Sequence, residues 1–257
     1  MSGFVLAVLL LQADSRDYAG AVDRGVTFPP PAELEEARRK GDAAKTAVDL
    51  FTDRGAWARA LREVDERTGL FDGTLEVAVR FGDLKGRQAE GGGKGGRGQV
   101  TLDLKQLADY VGRIGEFRAA VKAGKTFSVP PARLEGILAH ELTHCFQGGA
   151  GPAWFQEGMA AYVAQDPHSV YAFRYARQKA RDIEEEVKAK HLYARAWAFF
   201  EYLRDRHGAE KCRRFIALVS REGKSPPEAA REAMGAEWAD LKREELRWSA
   251  EWLENRR

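Results

Sequence analysis

The chain has 257 residues, with 41 Lys and Arg against 39 Asp and Glu, a net charge of +2 and 44% hydrophobic residues. That length can bury a substantial core as one domain, or as one domain with a helical extension. The basic residues are interleaved with acidic ones, which excludes an electrostatic case for nucleic-acid binding, and no apolar run approaches the roughly 20 residues that span a bilayer.

The first element is the apolar run Gly3 to Leu11, which fits a signal-peptide core with Ala13 as a cleavage point. No Lys or Arg precedes it, and a buried N-terminal strand is the competing reading. The expected destination is therefore the periplasm or the exterior, with residues 1–13 removed. Residues 14–70 read as a helical N-terminal extension. After the stiff Thr27-Phe28-Pro29-Pro30-Pro31, an apolar stripe of Leu34, Ala37, Val48, Phe51, Trp57, Leu61 and Val64 predicts one long helix or two shorter ones, stopped at Gly69. This segment props the part that follows or serves as a propeptide.

Leu75, Val77, Val79 and Phe81 alternate along 74–81, as expected for a half-buried strand, and 99–104 alternates again. Between them, Gly91 to Gly98 lacks the Gly-Lys-Ser/Thr ending of a phosphate loop and reads as a flexible hairpin tip. Leu104, Leu107, Val111, Ile114, Phe117 and Val121 then keep helical spacing up to Gly124.

The next helix, starting near Pro130-Pro131, contains His140-Glu141-Leu142-Thr143-His144. Residues four apart share a helix face, so the two imidazoles can reach one ion. Glu141 lies one step round the helix, where it can hold a water beside that ion. Gly148-Gly149-Ala150-Gly151-Pro152 turns the chain into a second helix carrying Glu157. A ligand set of His140, His144 and Glu157 with one open position has the composition of a catalytic zinc site rather than a structural one. Cys145 and Cys212 are expected as buried thiols rather than a disulfide.

The run "HELTH" followed by "PAWFQEGMAAY" resembles the gluzincin branch of zinc metallopeptidases, the thermolysin-like group, and within it the small bacterial peptidase MA-like members with "W-x-x-E-G-x-A" on the ligand helix. The likeness is strong over 130–165, weaker over 190–255 and absent before residue 70. It implies an α+β, zincin-like fold, mainly helical, with a small β-sheet (74–104) before the active-site helices (131–165) and a helical C-terminal part (169–257), together forming a catalytic domain over 71–257. It also implies one Zn²⁺, a peptide or protein substrate, His140, His144 and Glu157 as ligands, and Glu141 as general base. Where the group has an acidic brace for a histidine ligand, this chain has Ala161, so the partner must come from elsewhere. Tyr193, on a Tyr-led helix, is the preferred oxyanion donor, with Tyr162 and Tyr202 as competitors. By analogy, the 99–104 strand is the sheet edge that pairs with extended substrate.

The aromatic run Trp197 to Tyr202 reads as core, and His168, His191 and His207 read as surface or capping residues. The functional expectation is zinc-dependent peptide hydrolysis. The alternatives are an inactive metallopeptidase-like scaffold that binds a partner, or hydrolysis of a non-peptide amide.

Overall fold

A computed structural model describes residues 16–124, 133–165 and 192–254, the side chains of 192–194 and 253–254 excepted. In chain order the described elements are α1 (Tyr18–Gly25), β1 (Val26–Thr27), α2 (Pro31–Arg38), α3 (Asp42–Thr52), α4 (Arg54–Thr68), β2 (Glu76–Phe81), β3 (Ala89–Lys94) and β4 (Arg97–Leu102), followed by α5 (Leu104–Lys122), α6 (Leu134–Gln147), α7 (Ala153–Ala164), α8 (Leu192–His207), α9 (Ala209–Ser220), α10 (Pro226–Met234) and α11 (Trp238–Glu254). The molecule is mostly helical with one small sheet, as expected for an α+β fold. The signal-like run, the start of the active-site helix near Pro130 and the expected 169–190 helix lie outside the described residues.

Local chemistry sets the helix boundaries. Asp53 accepts the Gly55 and Ala56 amides at 2.9 and 3.1 Å to start α4, and Asp103 accepts the Gln106 amide at 3.1 Å to start α5. Ser225 and Glu228 form a capping box at α10.

The sheet order is β1-β2-β4-β3, with β1, β2 and β4 parallel and β3 antiparallel to β4. This corrects two expectations. First, β4 is not an edge, because β2 and β3 flank it; the edges of the sheet are β1 and β3. Second, most of the glycine-rich segment is ladder rather than a flexible tip. Gly91, Gly92, Gly93 and Lys94 pair with Val100, Gln99, Gly98 and Arg97, and only Gly95-Gly96 turns, with φ of 58° and 79°. Two positive φ values make the primed turn that matches strand twist. The turn amides also reach the end of α6, Gly96 donating to the Cys145 carbonyl at 3.1 Å and Gly95 to that of Phe146 at 3.4 Å. They occupy carbonyls that a helix end leaves without an internal partner.

The same strand explains why glycine is needed upstream of the turn. A Cβ at Gly91 would stand 2.1 Å from the Glu141 carbonyl oxygen. Backbone meets backbone where β3 crosses α6.

Residues 16–70 do more than extend the chain. They supply β1 to the sheet, and Val22, Phe51, Trp57, Leu61 and Val64 share one buried cluster with Leu142, Cys145, Phe155 and Tyr162. Trp57 is fully buried and donates to the Phe51 carbonyl at 2.8 Å. The expected helical stretch is broken into α2, α3 and α4. Behind α7, Trp154 and Phe155 pack on Phe199, Phe200 and Phe215, so the aromatic run on α8 is core, as its spacing implied. At the far side Arg195 makes two 2.5 Å bonds to Glu245, which also accepts from Ser249 at 2.6 Å. This buried pair holds α11 on α8; removing one partner would strand a charge, at a cost of about 3–5 kcal/mol.

Gly91→Ala should lower stability by about 1–3 kcal/mol, because β3 must lift from α6. Gly92→Ala meets nothing within 4 Å and should stay within about ±0.5 kcal/mol of the parent. Urea midpoints at constant slope measure both; equal midpoints for the two variants would contradict the packing described.

Candidate metal centre

The site begins with the spacing on α6. His140 and His144 face the same way, ring centroids 4.9 Å apart at 73°, while Leu138, Leu142 and Cys145 are buried on the opposite side. The helix ends at Gly148 in the left-handed region. The Gln156 side-chain amide then clamps the turn, donating to the Gly149 and Gly151 carbonyls at 3.1 and 3.0 Å. Burial of Trp154 and Phe155 sets the roll of α7 and leaves Gln156 and Glu157 on its less buried side. A Cβ on Gly158 would stand 2.4 Å from the Ala196 Cβ, so α8 presses directly on α7 beside Glu157.

Glu157 Oε2 lies 3.4 Å from His140 Nε2 and 3.7 Å from His144 Nε2, and the three ligand atoms fall within 4.8 Å of one another. These separations are long for hydrogen bonds. They fit donors around one ion: bonds of about 2.05 Å in tetrahedral geometry put neighbouring donors about 3.3 Å apart. Among the described residues this is the group of His, Cys, Asp and Glu that could hold a metal ion. Its composition, two imidazoles and one carboxylate, suits zinc.

The electrostatics agree with the geometry. Burial pushes the Glu157 carboxyl upward, but the facing His140 and His144 imidazoles outweigh it and hold the group well below the usual carboxylate range. Burial pulls His144 down, yet Glu157, the Glu141 charge and Gln147 together leave it raised above 6.5. Opposite displacements in one partly open cluster are typical of functional sites.

Glu141 is buried, and its Oε2 accepts the Gly91 amide at 2.5 Å. Because Gly91 directs its N–H away from β4 to reach Glu141, it is an outward-facing position of the edge strand. Oε1 carries no hydrogen bond among the described residues.

The brace that Ala161 does not supply comes from α6 itself. Gln147 Oε1 lies 2.8 Å from His144 Nδ1, and Gln147 Nε2 donates to the Gln156 carbonyl at 2.7 Å. Ala161 is buried in the core. Gln147 and Gly91 were missed by the sequence reading. Gln147 had a signal: it follows His140 and His144 at i+7 and i+3, on the same helical stripe. Gly91 had none, since its role depends on a strand crossing a helix 50 positions away.

Tyr193 lies in the first turn of α8, one turn before Ala196, with its side chain outside the described residues. Its competitors are occupied elsewhere. The Tyr202 hydroxyl meets Glu244 and His207, each at 3.1 Å. Tyr162 is buried beside Cys212 beneath the Arg67 guanidinium. His207 is partly buried against Tyr202 rather than free on the surface, and His168 and His191 fall outside the described residues. Cys145 and Cys212 are free and buried, as expected, with burial pushing both thiols up to about 12.

A family model described as peptidase of plants and bacteria matches residues 117–244, a span just short of half the chain that runs from the end of α5 into α11 and contains the whole cluster. The match supports a peptidase, a hydrolase acting on peptide bonds. No curated protein and no solved structure matches the chain.

Metal binding should be pH-dependent with a definite sign. His144, raised from 6.5, stabilises the metal-free fold below about that pH and loses the contribution as pH rises through its folded value. Glu157, lowered from 4.5, contributes above about that pH and loses it as pH falls through its folded value. The metal-free cluster is thus most self-stabilising between these limits, where a proton on His144 also competes with metal. The melting-temperature gain on adding a divalent ion should rise from pH 5.5 to pH 8. A flat gain across that range would remove these groups from the binding site.

Proposed function

We propose that the protein is a zinc-dependent peptidase of gluzincin type, with His140, His144 and Glu157 as ligands and Glu141 as general base. The convergence of three donor atoms from α6 and α7, with a carboxylate held beside them, carries this reading. When bound, zinc supplies Lewis acidity, lowering the pKa of water and polarising a carbonyl.

The chain's own groups supply the rest. Glu141 Oε1 takes the proton of the attacking water and returns it to the leaving amine, while the Gly91 amide keeps Oε2 in place. Proton transfer of this kind contributes about 10²–10⁴-fold. An extended peptide lies along the outer edge of β3, where backbone hydrogen bonds hold it without demanding particular side chains. Tyr193 is the proposed donor to the oxyanion, since α8 is seated against Gly158, next to Glu157. Export through the segment 3–13 belongs to the same proposal.

The preformed Glu141–Gly91 contact favours an enzyme over an inactive scaffold, which needs a metal to shape the surface but no positioned base. Glu141→Gln should retain zinc and lose about 10²–10⁴-fold in turnover. His140→Ala and Glu157→Ala should lose the metal as well. Zinc content and cleavage of a mixed peptide library, with a chelator and with zinc restored, test all three. Full activity of Glu141→Gln, or cleavage indifferent to the chelator, would sink the assignment.

A further inference from the structure

We propose that Gln147 is a positioning residue that sets the tautomer of His144 and locks that ring in register with Glu157; this rests on the zinc reading above. The tautomer follows from the order of hydrogen bonds. Gln147 is almost fully buried, and both ends of its amide are engaged. The Gln156 carbonyl can only accept, so the Gln147 atom 2.7 Å from it is the NH₂ nitrogen. The other end, 2.8 Å from His144 Nδ1, is then the amide oxygen, which can only accept. His144 therefore carries its proton on Nδ1. Its Nε2, the atom facing Glu157, keeps the lone pair that a metal needs.

The second bond gives the arrangement its reach. The Gln156 carbonyl belongs to the peptide that leads into Glu157. One amide thus spans from an imidazole on α6 to the backbone immediately before the carboxylate ligand on α7. Gln156 in turn holds the Gly149–Gly151 turn, so ring, ligand helix and turn are joined in one chain of bonds. The brace is neutral, which suits a cluster that already contains the Glu141 and Glu157 carboxylates: it orients the ring without adding a third negative charge.

Two variants separate positioning from packing. Gln147→Met keeps volume and loses both hydrogen bonds. Gln147→Glu keeps an acceptor for Nδ1–H and loses the donor to Gln156. In metal-free protein, at a pH where imidazoles are neutral, ¹⁵N–¹H correlation of labelled histidines reports each tautomer, with the His144 signals assigned by their loss in His144→Ala. The expected results are an Nδ1–H form in the parent and in Gln147→Glu, and a shift toward Nε2–H in Gln147→Met. In competition with a chromophoric chelator, zinc affinity should fall about 10–100-fold in Gln147→Met and less in Gln147→Glu. An Nε2–H tautomer in the parent overturns the inference with no variant needed. So does a Gln147→Met protein that loses stability while keeping tautomer and affinity. If the parent binds no zinc, the peptidase reading fails, and the tautomer measurement still judges the role of Gln147 separately.

Discussion

The contact between β3 and α6 at Gly91 is the constraint on which the rest depends. A strand edge and a helix backbone approach closely enough that a methyl group would have no room. From that approach come three features of the site. The Gly91 amide reaches the Glu141 carboxylate, the Gly95 and Gly96 amides reach the last carbonyls of α6, and β3, an edge of the sheet, lies against the helix that carries His140 and His144. A larger side chain at Gly91 would disturb all three together.

The second constraint is the fold-back of α7 on α6. The turn is held by side-chain amides rather than by apolar packing alone, and the aromatic cluster behind α7 fixes its roll. Buried polar groups are expensive unless hydrogen-bonded. Here the buried Glu141 and Gln147 and the half-buried Gln156 each bond to a backbone group, so the fold sets their directions. Such preorganisation lets charge be met by dipoles that need not rearrange during reaction. Mass and rigidity come from elsewhere: the N-terminal helices close the core beneath α6, and the Arg195–Glu245 pair secures the C-terminal helices.

Much of this was legible locally. The i, i+4 histidines, the glycine turn and the Glu157 helix each follow from short-range rules of helix geometry and capping. The strands at Glu76–Phe81 and Arg97–Leu102 follow from alternation, and α8 through α11 from apolar spacing between glycine stops. Strand order was not legible in the same way. The resemblance alone pointed to β4 as the edge, while the glycine-rich β3 read as a hairpin tip. Glycines carry no pattern, and the pairing of Gly91 to Gly93 is written in what they permit their neighbours to do. Residues 16–70 looked like an extension because their stripe says only that one face is buried, not against what.

Sequence alone determined the candidate donor set: the chemistry of His140, His144 and Glu157, their two-helix spacing, and Glu141 beside them. Helix periodicity and ligand preference act over a few residues, so they can be read without coordinates. Only the tertiary structure decided which strand borders the site, which amide steadies Glu141, and which side chain stands in for the brace missing at Ala161. Those assignments depend on backbone groups meeting across long chain separations, and a peptide N–H or C=O has the same identity at nearly every position until the fold chooses its partner.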